Sequence, residues 1–438
     1  MSQDLAVGGT VGRVSPGERS HPAGAATRPF GGHRPGSPGY RRLSLALFAA
    51  GLATFAELYS TQAVLPDLAA RFTLSPASSA LSVSAATLGL GVALLVVGPV
   101  TERIGRTPLM HASLAASSVV GVLCAVAPTW PLLLGLRVLQ GVTLAGLSAV
   151  AMAYLREEVH PEAHARASGL YIGGTALGGM AGRLLASGVG DLAGWRWALG
   201  AIALFGVVCT VVVRVLLPAS RGFVPAAAGG RAVWAATRHV LADPALLLLY
   251  AFAALAMGGF VATYNALGFR LAAPPYALSL GVAGLVFLSY ALGSVSSTVA
   301  GRLADRHGRR AVMPVGVVVA LSGVALTLVA PLWLVVVGIA LETVGFFAAH
   351  GVASGWVSAR AHLGGGGTGQ ASSFYLFAYY LGSSVFGAVS GLAWSSGGWD
   401  LVVAVVGGLF VLALGCALGL RWVPSLLERR HDGEPVGH

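Results

Sequence analysis

Gly98-Pro-Val-Thr-Glu102-Arg103-Ile-Gly105-Arg106-Thr107 and Gly301-Arg-Leu-Ala-Asp305-Arg306-His-Gly308-Arg309-Arg310 are two copies of one pattern, 203 residues apart. Each copy lies between long apolar runs, after the second run of a set of six. Glycines allow a tight turn there. The acid is favoured near a helix N-terminus by the helix dipole. The arginines can pair with acids or with anionic headgroups. Such contacts could lock one face of the molecule and release when its halves rock. A single copy reads equally well as a plain basic loop. Two copies in register indicate an internal repeat, and two parallel six-helix halves are a known plan for membrane transporters.

Composition agrees. Of 438 residues, 56% are hydrophobic and 10% are charged, against about 25% charged in a soluble domain. One soluble core could not hide so much apolar surface. A helix crosses about 30 Å of hydrocarbon with roughly 20 apolar residues. Twelve such runs are legible, near 43–65, 80–101, 107–128, 131–155, 166–190 and 195–217, then 246–269, 278–301, 311–330, 332–356, 368–393 and 399–421. The expected fold is all-α and integral to the membrane, with twelve transmembrane helices in two six-helix halves. Residues 1–42 read as a disordered tail rich in Gly, Pro, Ser and Arg. The first half covers 43–217, a polar central loop 218–244, the second half 245–422 and a short tail 423–438. The tail has no apolar core followed by a cleavage site, so no removed signal peptide is expected.

The net charge is +11, and all 27 basic residues counted with Lys are arginine. Twenty-two arginines fall on the face shared by the tails, the central loop and the repeated loops. Arg71, Arg196 and Arg270 fall on the other face, and Arg137 and Arg183 lie inside spans. The positive-inside rule then places both termini in the cytoplasm. The same rule accounts for the charge, so no nucleic-acid partner is expected. Cys124, Cys209 and Cys416 each lie in an apolar run and read as small buried hydrophobes. No spacing resembles a metal site, and neither metal nor cofactor is expected.

The Gly-x-x-x-Asp/Glu-Arg-x-Gly-Arg pattern resembles the signature of the major facilitator superfamily. Arg137-Val-Leu-Gln140-Gly141 resembles that superfamily's Arg-x-x-Gln-Gly motif, which is typical of proton-coupled drug antiporters. Met257-Gly-Gly-Phe260 through Tyr264-Asn265 to Phe269-Arg270, followed by Pro274-Pro275, resembles a narrower YnfM-like branch. Tyr59-Ser-Thr-Gln62, Gly182-Arg183 and Trp195-Arg196-Trp197 fit it too. The resemblance covers roughly 43–422 and implies a cell inner-membrane transporter, with a monomer as the family expectation. Two departures stand out. Glu102 replaces the usual Asp, and the fifth span has Gly174, Gly178 and Gly182 without the family's Gly-Pro pair. The four-residue glycine spacing still supports close helix packing.

Ionisable residues inside spans are costly and mark function. Glu57 and Glu342 are the acids well inside spans. Glu57, Arg137 and Arg183 read at similar depth, so Glu57 can pair with either arginine. Exchange of that pairing for protonation would couple a proton to movement, and a permanent ion pair is the structural alternative. Glu342 is either a second proton or cation site or a buried acid bonded to neighbouring hydroxyls. His350 reads as structural. Arg137 carries the implied family role in proton handling. The proton-coupling set is therefore Glu57, Arg137, Arg183 and Glu342. The gating loops are Gly98, Glu102, Arg103, Gly105 and Arg106, with Gly301, Asp305, Arg306, Gly308, Arg309 and Arg310. Candidate cavity residues include Tyr59, Gln62, Gln140, Tyr264, Asn265, Tyr290, Tyr375 and Tyr379; Tyr375 and Tyr379, well inside the eleventh span with Tyr380, could stack on a substrate ring or cation.

The leading expectation is secondary active transport: proton-coupled efflux of a small organic solute by alternating access. Proton symport or uniport uptake of a sugar or metabolite uses the same residues. A non-transporting receptor would need a signalling domain that the tails do not offer. An enzyme is not expected, since HExxH, GxSxG and a phosphate-binding Lys loop are all missing.

Overall fold

The computed structural model describes residues 31–222 and 230–424. The chain is helical almost throughout. The first half holds α1 (Pro38–Leu58), α2 (Leu65–Phe72), α3 (Pro76–Ile104), α4 (Arg106–Val126), α5 (Trp130–Glu158), α6 (His164–Ala193) and α7 (Trp195–Leu216). A connecting helix, α8 (Gly230–Ala242), leads to α9 (Pro244–Ala272), α10 (Leu280–Gly284), α11 (Ser289–His307), α12 (Arg309–Leu326), α13 (Leu332–Leu363) and α14 (Thr368–Gly419). Ten helical stretches are long and apolar enough to cross a membrane. One of them, α14, is two spans meeting at the non-helical pair Gly397 and Gly398. The thirty-residue α6 is too glycine-rich and charged to stand out by hydropathy, yet it packs as the fifth span. With it the spans number twelve.

Several boundaries lie outside the apolar runs. Spans begin on polar caps: Ser37 Oγ accepts from Tyr40 N, Ser75 Oγ from Ser78 N, and Asp243 Oδ1 from Ala245 N, each with a proline directly following. Such caps satisfy orphan N–H groups while proline pre-sets the first turn. They project beyond the hydrocarbon, which is why counting apolar residues starts the helices late. The expected disordered tail over 1–42 is shortened accordingly, since α1 begins at Pro38; residues 1–30 and 425–438 lie outside the described residues. The central stretch expected as a loop also carries α8.

The repeat is visible in the backbone. A single glycine separates α3 from α4 and α11 from α12. Gly105 has φ 90° and ψ 162°; Gly308 has φ 84° and ψ 146°. These conformations are nearly closed to other residues, so the repeated glycine is what turns the chain back in one residue. Within the halves, α6 lays Gly174, Gly178 and Gly182 on the backbone of Phe48, Leu52 and Ala56 in α1, and α14 lays Gly382 on Ala254 in α9. The glycines thus bring helix axes together as the spacing implied.

The two halves are joined mainly by α3 against α14, and by α6 against α10 and α11. Pro38 and Gly419 lie on one face, here the terminal face. Cross-half hydrogen bonds among the described residues lie between mid-span and the opposite face. Ser84 Oγ donates to Ser384 O at 2.7 Å, Thr87 Oγ1 meets Ser384 Oγ at 2.7 Å, and Ser279 Oγ donates to Asp191 Oδ2 at 3.1 Å. Toward the terminal face, Arg106 pairs with Glu157 at 3.0 Å in the first half and Arg360 with Asp243 at 2.8 Å in the second. Among the described residues, the hydrogen bonds between the halves thus gather on the face away from the termini.

Candidate functional site

The site grows from a break in the first span. Pro66 has no N–H to give and its ring crowds the carbonyl one turn back. That carbonyl belongs to Gln62, so the chain runs through a turn and one 3-10 turn at Gln62–Val64 between the end of α1 at Leu58 and the start of α2 at Leu65, with Pro66 in its first turn. A stopped helix leaves carbonyls without partners and a partial negative charge. Arg137 of α5 fills that role. Fully buried, it donates from Nη1 to Glu57 O at 3.0 Å and Ser60 Oγ at 3.2 Å, and from Nε to Ser82 O at 3.0 Å. It also donates to Leu58 O and Gln140 Oε1. The expected ion pair with Glu57 is therefore replaced: Arg137 binds the Glu57 backbone, and no described ion pair joins its guanidinium to the carboxylate.

The Glu57 side chain turns the other way, into the first half. Oε1 accepts from Ser118 Oγ of α4 at 3.2 Å, and Ser118 Oγ meets Thr210 Oγ1 of α7 at 3.1 Å. Oε2 has no hydrogen-bond partner among the described residues. The carboxyl fits only because position 206 is glycine: a Cβ there would sit 1.8 Å from Oε1. Nor does Glu57 pair with Arg183, the other alternative.

Arg183 of α6 lies at the interface of the halves. Its guanidinium sits 4.4 Å from the Tyr59 ring centre, 4.9 Å from Tyr290 and 5.4 Å from Phe287. Nε donates to Gln62 Oε1 at 2.6 Å and Nη1 to Gly179 O at 2.7 Å. Gln62 Nε2 donates onward to Asn265 Oδ1 at 2.7 Å, and Asn265 Nδ2 to Gly387 O at 3.1 Å. Arg183, Gln62 and Asn265 thus form one relay across the interface. Gln62 and Tyr264 also line a cavity of about 170 Å³ opening beside it, with Asp67, Leu280 and Phe287 in its wall. The Tyr59 and Ser383 hydroxyls are buried close to one another and have no other hydrogen-bond partner among the described residues.

In the second half, Glu342 of α13 is fully buried, with the Thr263 hydroxyl as its polar neighbour and no other hydrogen-bond partner for either carboxyl oxygen among the described residues. The Tyr264 hydroxyl is engaged by Ser289 at 2.7 Å and Thr343 at 2.8 Å. Its ring stacks on Phe287 and meets Tyr290 edge-on. His350 bonds Tyr375 through Nδ1 at 2.9 Å and packs on Tyr379 with 4.8 Å between centroids. Gln140 serves Arg137 from within the first half, away from the interface.

The gating loops divide. Arg106 binds Glu157 and donates to Thr101 Oγ1 at 2.6 Å. Arg310 donates to Val423 O at 2.5 Å. Asp305 and Arg306 are exposed and make no hydrogen bond or ion pair among the described residues, while Gly301 and Arg309 lie half-buried. The side chains of Glu102 and Arg103, and position Gly98, lie outside the described residues. Sequence reasoning missed Ser118, Thr210 and Gly206. Serines and threonines in an apolar span normally bond their own helix carbonyls, as Ser117 does with Leu114 O, so nothing marked them.

The Major Facilitator Superfamily pattern matches residues 43–274 and, in a second match, 255–437. The chain is 42% identical over 379 residues to the inner membrane transport protein YnfM of Escherichia coli strain K12, covering 86% of this chain and 90% of that one. It is 38% identical to the MFS-type transporter YybF of Bacillus subtilis strain 168, covering 90% and 96%. A solved bacterial homologue of the human lysosomal transporter Spinster, in an inward-facing and unoccupied conformation, superimposes with a TM-score of 0.70 at 17% identity, covering 89% of this chain and all of that one.

Proposed function

The chain belongs to the Major Facilitator Superfamily, and we propose that this membrane transporter exports a small organic solute in exchange for protons by alternating access. The observation that carries the reading is the state of the two buried acids. Glu57 and Glu342 are fully buried, and neither carboxylate has an arginine within ion-pair distance among the described residues, although Arg137 and Arg183 lie in the same layer. An isolated buried carboxylate is expensive. A group of this kind holds or gives up a proton according to how its surroundings rearrange, which is what coupling requires. Export is the direction implied by the Arg137-Val-Leu-Gln140-Gly141 resemblance.

The relay through Arg183, Gln62 and Asn265 ties the halves on one face, and the arginine distribution supports a reading in which the opposite, terminal face is the cytoplasmic one. Tyr59, Tyr290 and Tyr379 would then meet a solute entering from the cytoplasm. A proton moving down about 150 mV releases roughly 3.5 kcal/mol. That drives a solute gradient of a few hundred-fold, at about 1.4 kcal/mol per factor of ten.

The test uses proteoliposomes with a pH-sensitive dye trapped inside and an imposed pH gradient. Lipophilic cations, sugars and amino acids are added in turn. Solute-triggered proton flux that disappears in Glu57→Gln or Glu342→Gln is the expected result. Flux that survives in both variants removes the coupling role from these acids, and flux in the same direction as the solute makes the protein a symporter.

A further inference from the structure

The Glu57 carboxyl does not face the interface between the halves. It faces α4 and α7, two helices on the outside of the first half, and the hydroxyls it meets continue toward the terminal face. Ser118 Oγ bonds Glu57 Oε1 at 3.2 Å, and Thr210 Oγ1 bonds Ser118 at 3.1 Å. One face of α7 carries Gly206, Thr210 and Arg214 at four-residue spacing, so they lie in line along the helix. His111 lies seven residues before Ser118, two turns nearer the terminal end of α4. His111 and Arg214 are electrostatic neighbours across the two helices, and His111 Nδ1 is buried with no hydrogen-bond partner among the described residues. Exposure rises along this line: Ser118 is buried, Thr210 and His111 are half-buried, and Arg214 is exposed.

We infer that this polar seam between α4 and α7 is the proton path between Glu57 and the terminal face, separate from the route of the solute. The inference rests on the reading of Glu57 as a proton site. Hydroxyls suit the task because each both donates and accepts, so a proton can pass along Glu57, Ser118 and Thr210 with the oxygens in place. His111, with Arg214 beside it, stands at the mouth. The charged and titratable groups facing Glu57 are few: Arg137 from α5, Cys124 from α4 and Cys209 from α7. No second acid among the described residues of these helices competes for its proton there. A path of this kind lets Glu57 exchange protons while the solute site is occupied, which exchange transport needs if solute and proton are not to block each other.

The test is hydrogen–deuterium exchange at the Glu57 carboxyl. Purified full-length protein in lipid nanodiscs is switched from H2O to D2O in acidic buffer, and the carboxylic-acid infrared band that Glu57→Gln removes is followed. Ser118→Ala and Thr210→Val should each slow its exchange at least tenfold. Thr210→Val is decisive, because Thr210 does not touch Glu57, and Thr210→Ser should restore the rate. Ser322→Ala, on the exposed side of α12, serves as the control, and melting temperatures establish that each variant is folded. Exchange at the wild-type rate in Thr210→Val overturns the seam and leaves Glu57 as a proton site reached another way. A spectrum in which Glu57→Gln removes no band overturns the seam together with the role of Glu57.

Discussion

Gln62 donates a hydrogen bond to Asn265 across the interface at 2.7 Å, and the two residues are 203 positions apart. That is also the separation of Gly105 from Gly308, the glycines that turn each half at its repeated loop. The first helix of each half therefore offers its equivalent position to the other, and the pair stands where a two-fold relation between the halves would meet itself. Breaking it should release the latched face. A buried hydrogen bond contributes about 1 kcal/mol, and a partner left unsatisfied costs about 1–3 kcal/mol. Gln62→Ala also deprives Arg183 of an acceptor. Spin labels at Thr129→Cys and Ala330→Cys, exposed on the latched face of each half, should report a roughly tenfold rise in the separated population. An unchanged distance distribution would mean that the remaining cross-half bonds, Ser84 and Thr87 with Ser384 and Ser279 with Asp191, suffice to hold the face.

The turning glycines make a narrower prediction. A Cβ on Gly308 would meet nothing within 4 Å, so Gly308→Ala isolates the cost of its backbone conformation. That cost is about 1–3 kcal/mol. Gly301 also has open space around it but lies inside α11, where Ala is favoured over Gly by about 1 kcal/mol. Thermal melting should therefore fall for Gly308→Ala and rise or hold for Gly301→Ala. Equal behaviour would remove the conformational account of the repeat.

Arg137 should not tolerate lysine. Its planar fork reaches carbonyls of Glu57, Leu58 and Ser82 at once, and a lysine ammonium is a single point of charge with no such reach. Arg137→Lys should fold with lowered stability and lose more than tenfold in transport, because the break in the first span is no longer held. Transport near the wild-type level would show that the positive charge alone suffices there.

These outcomes separate what the residue order carries from what it does not. The two halves, the twelve spans and the loop glycines were legible because duplication, hydropathy and backbone-forbidden angles all leave marks on residue type. The α6 glycines were legible for the same reason. The facing of Glu57 was not, because which neighbours surround that side of α1 is decided by packing against α4 and α7. The target of Arg137 was not, because backbone carbonyls have no residue signature. Gly206 looked like one more small residue in an apolar span, and only the packed structure shows that its missing side chain is occupied by a carboxyl.

That last contact yields the sharpest substitution. Gly206→Ala changes a single hydrogen to a methyl on a well-formed helix, where alanine is intrinsically preferred. By helix propensity alone the variant should be neutral or more stable. Packing says the reverse for function, since the new Cβ would lie 1.8 Å from Glu57 Oε1 and 3.2 Å from Ser118 Oγ. The carboxyl must leave its pocket, and its bond to Ser118 breaks with it. Solute-triggered proton flux should then fall at least tenfold while the protein melts within a few degrees of wild type. Gly200→Ala, on the same helix with its nearest neighbour at 3.9 Å, should leave both readouts unchanged. If Gly206→Ala transports normally, Glu57 works from some other position, and the pocket between α4 and α7 is packing alone.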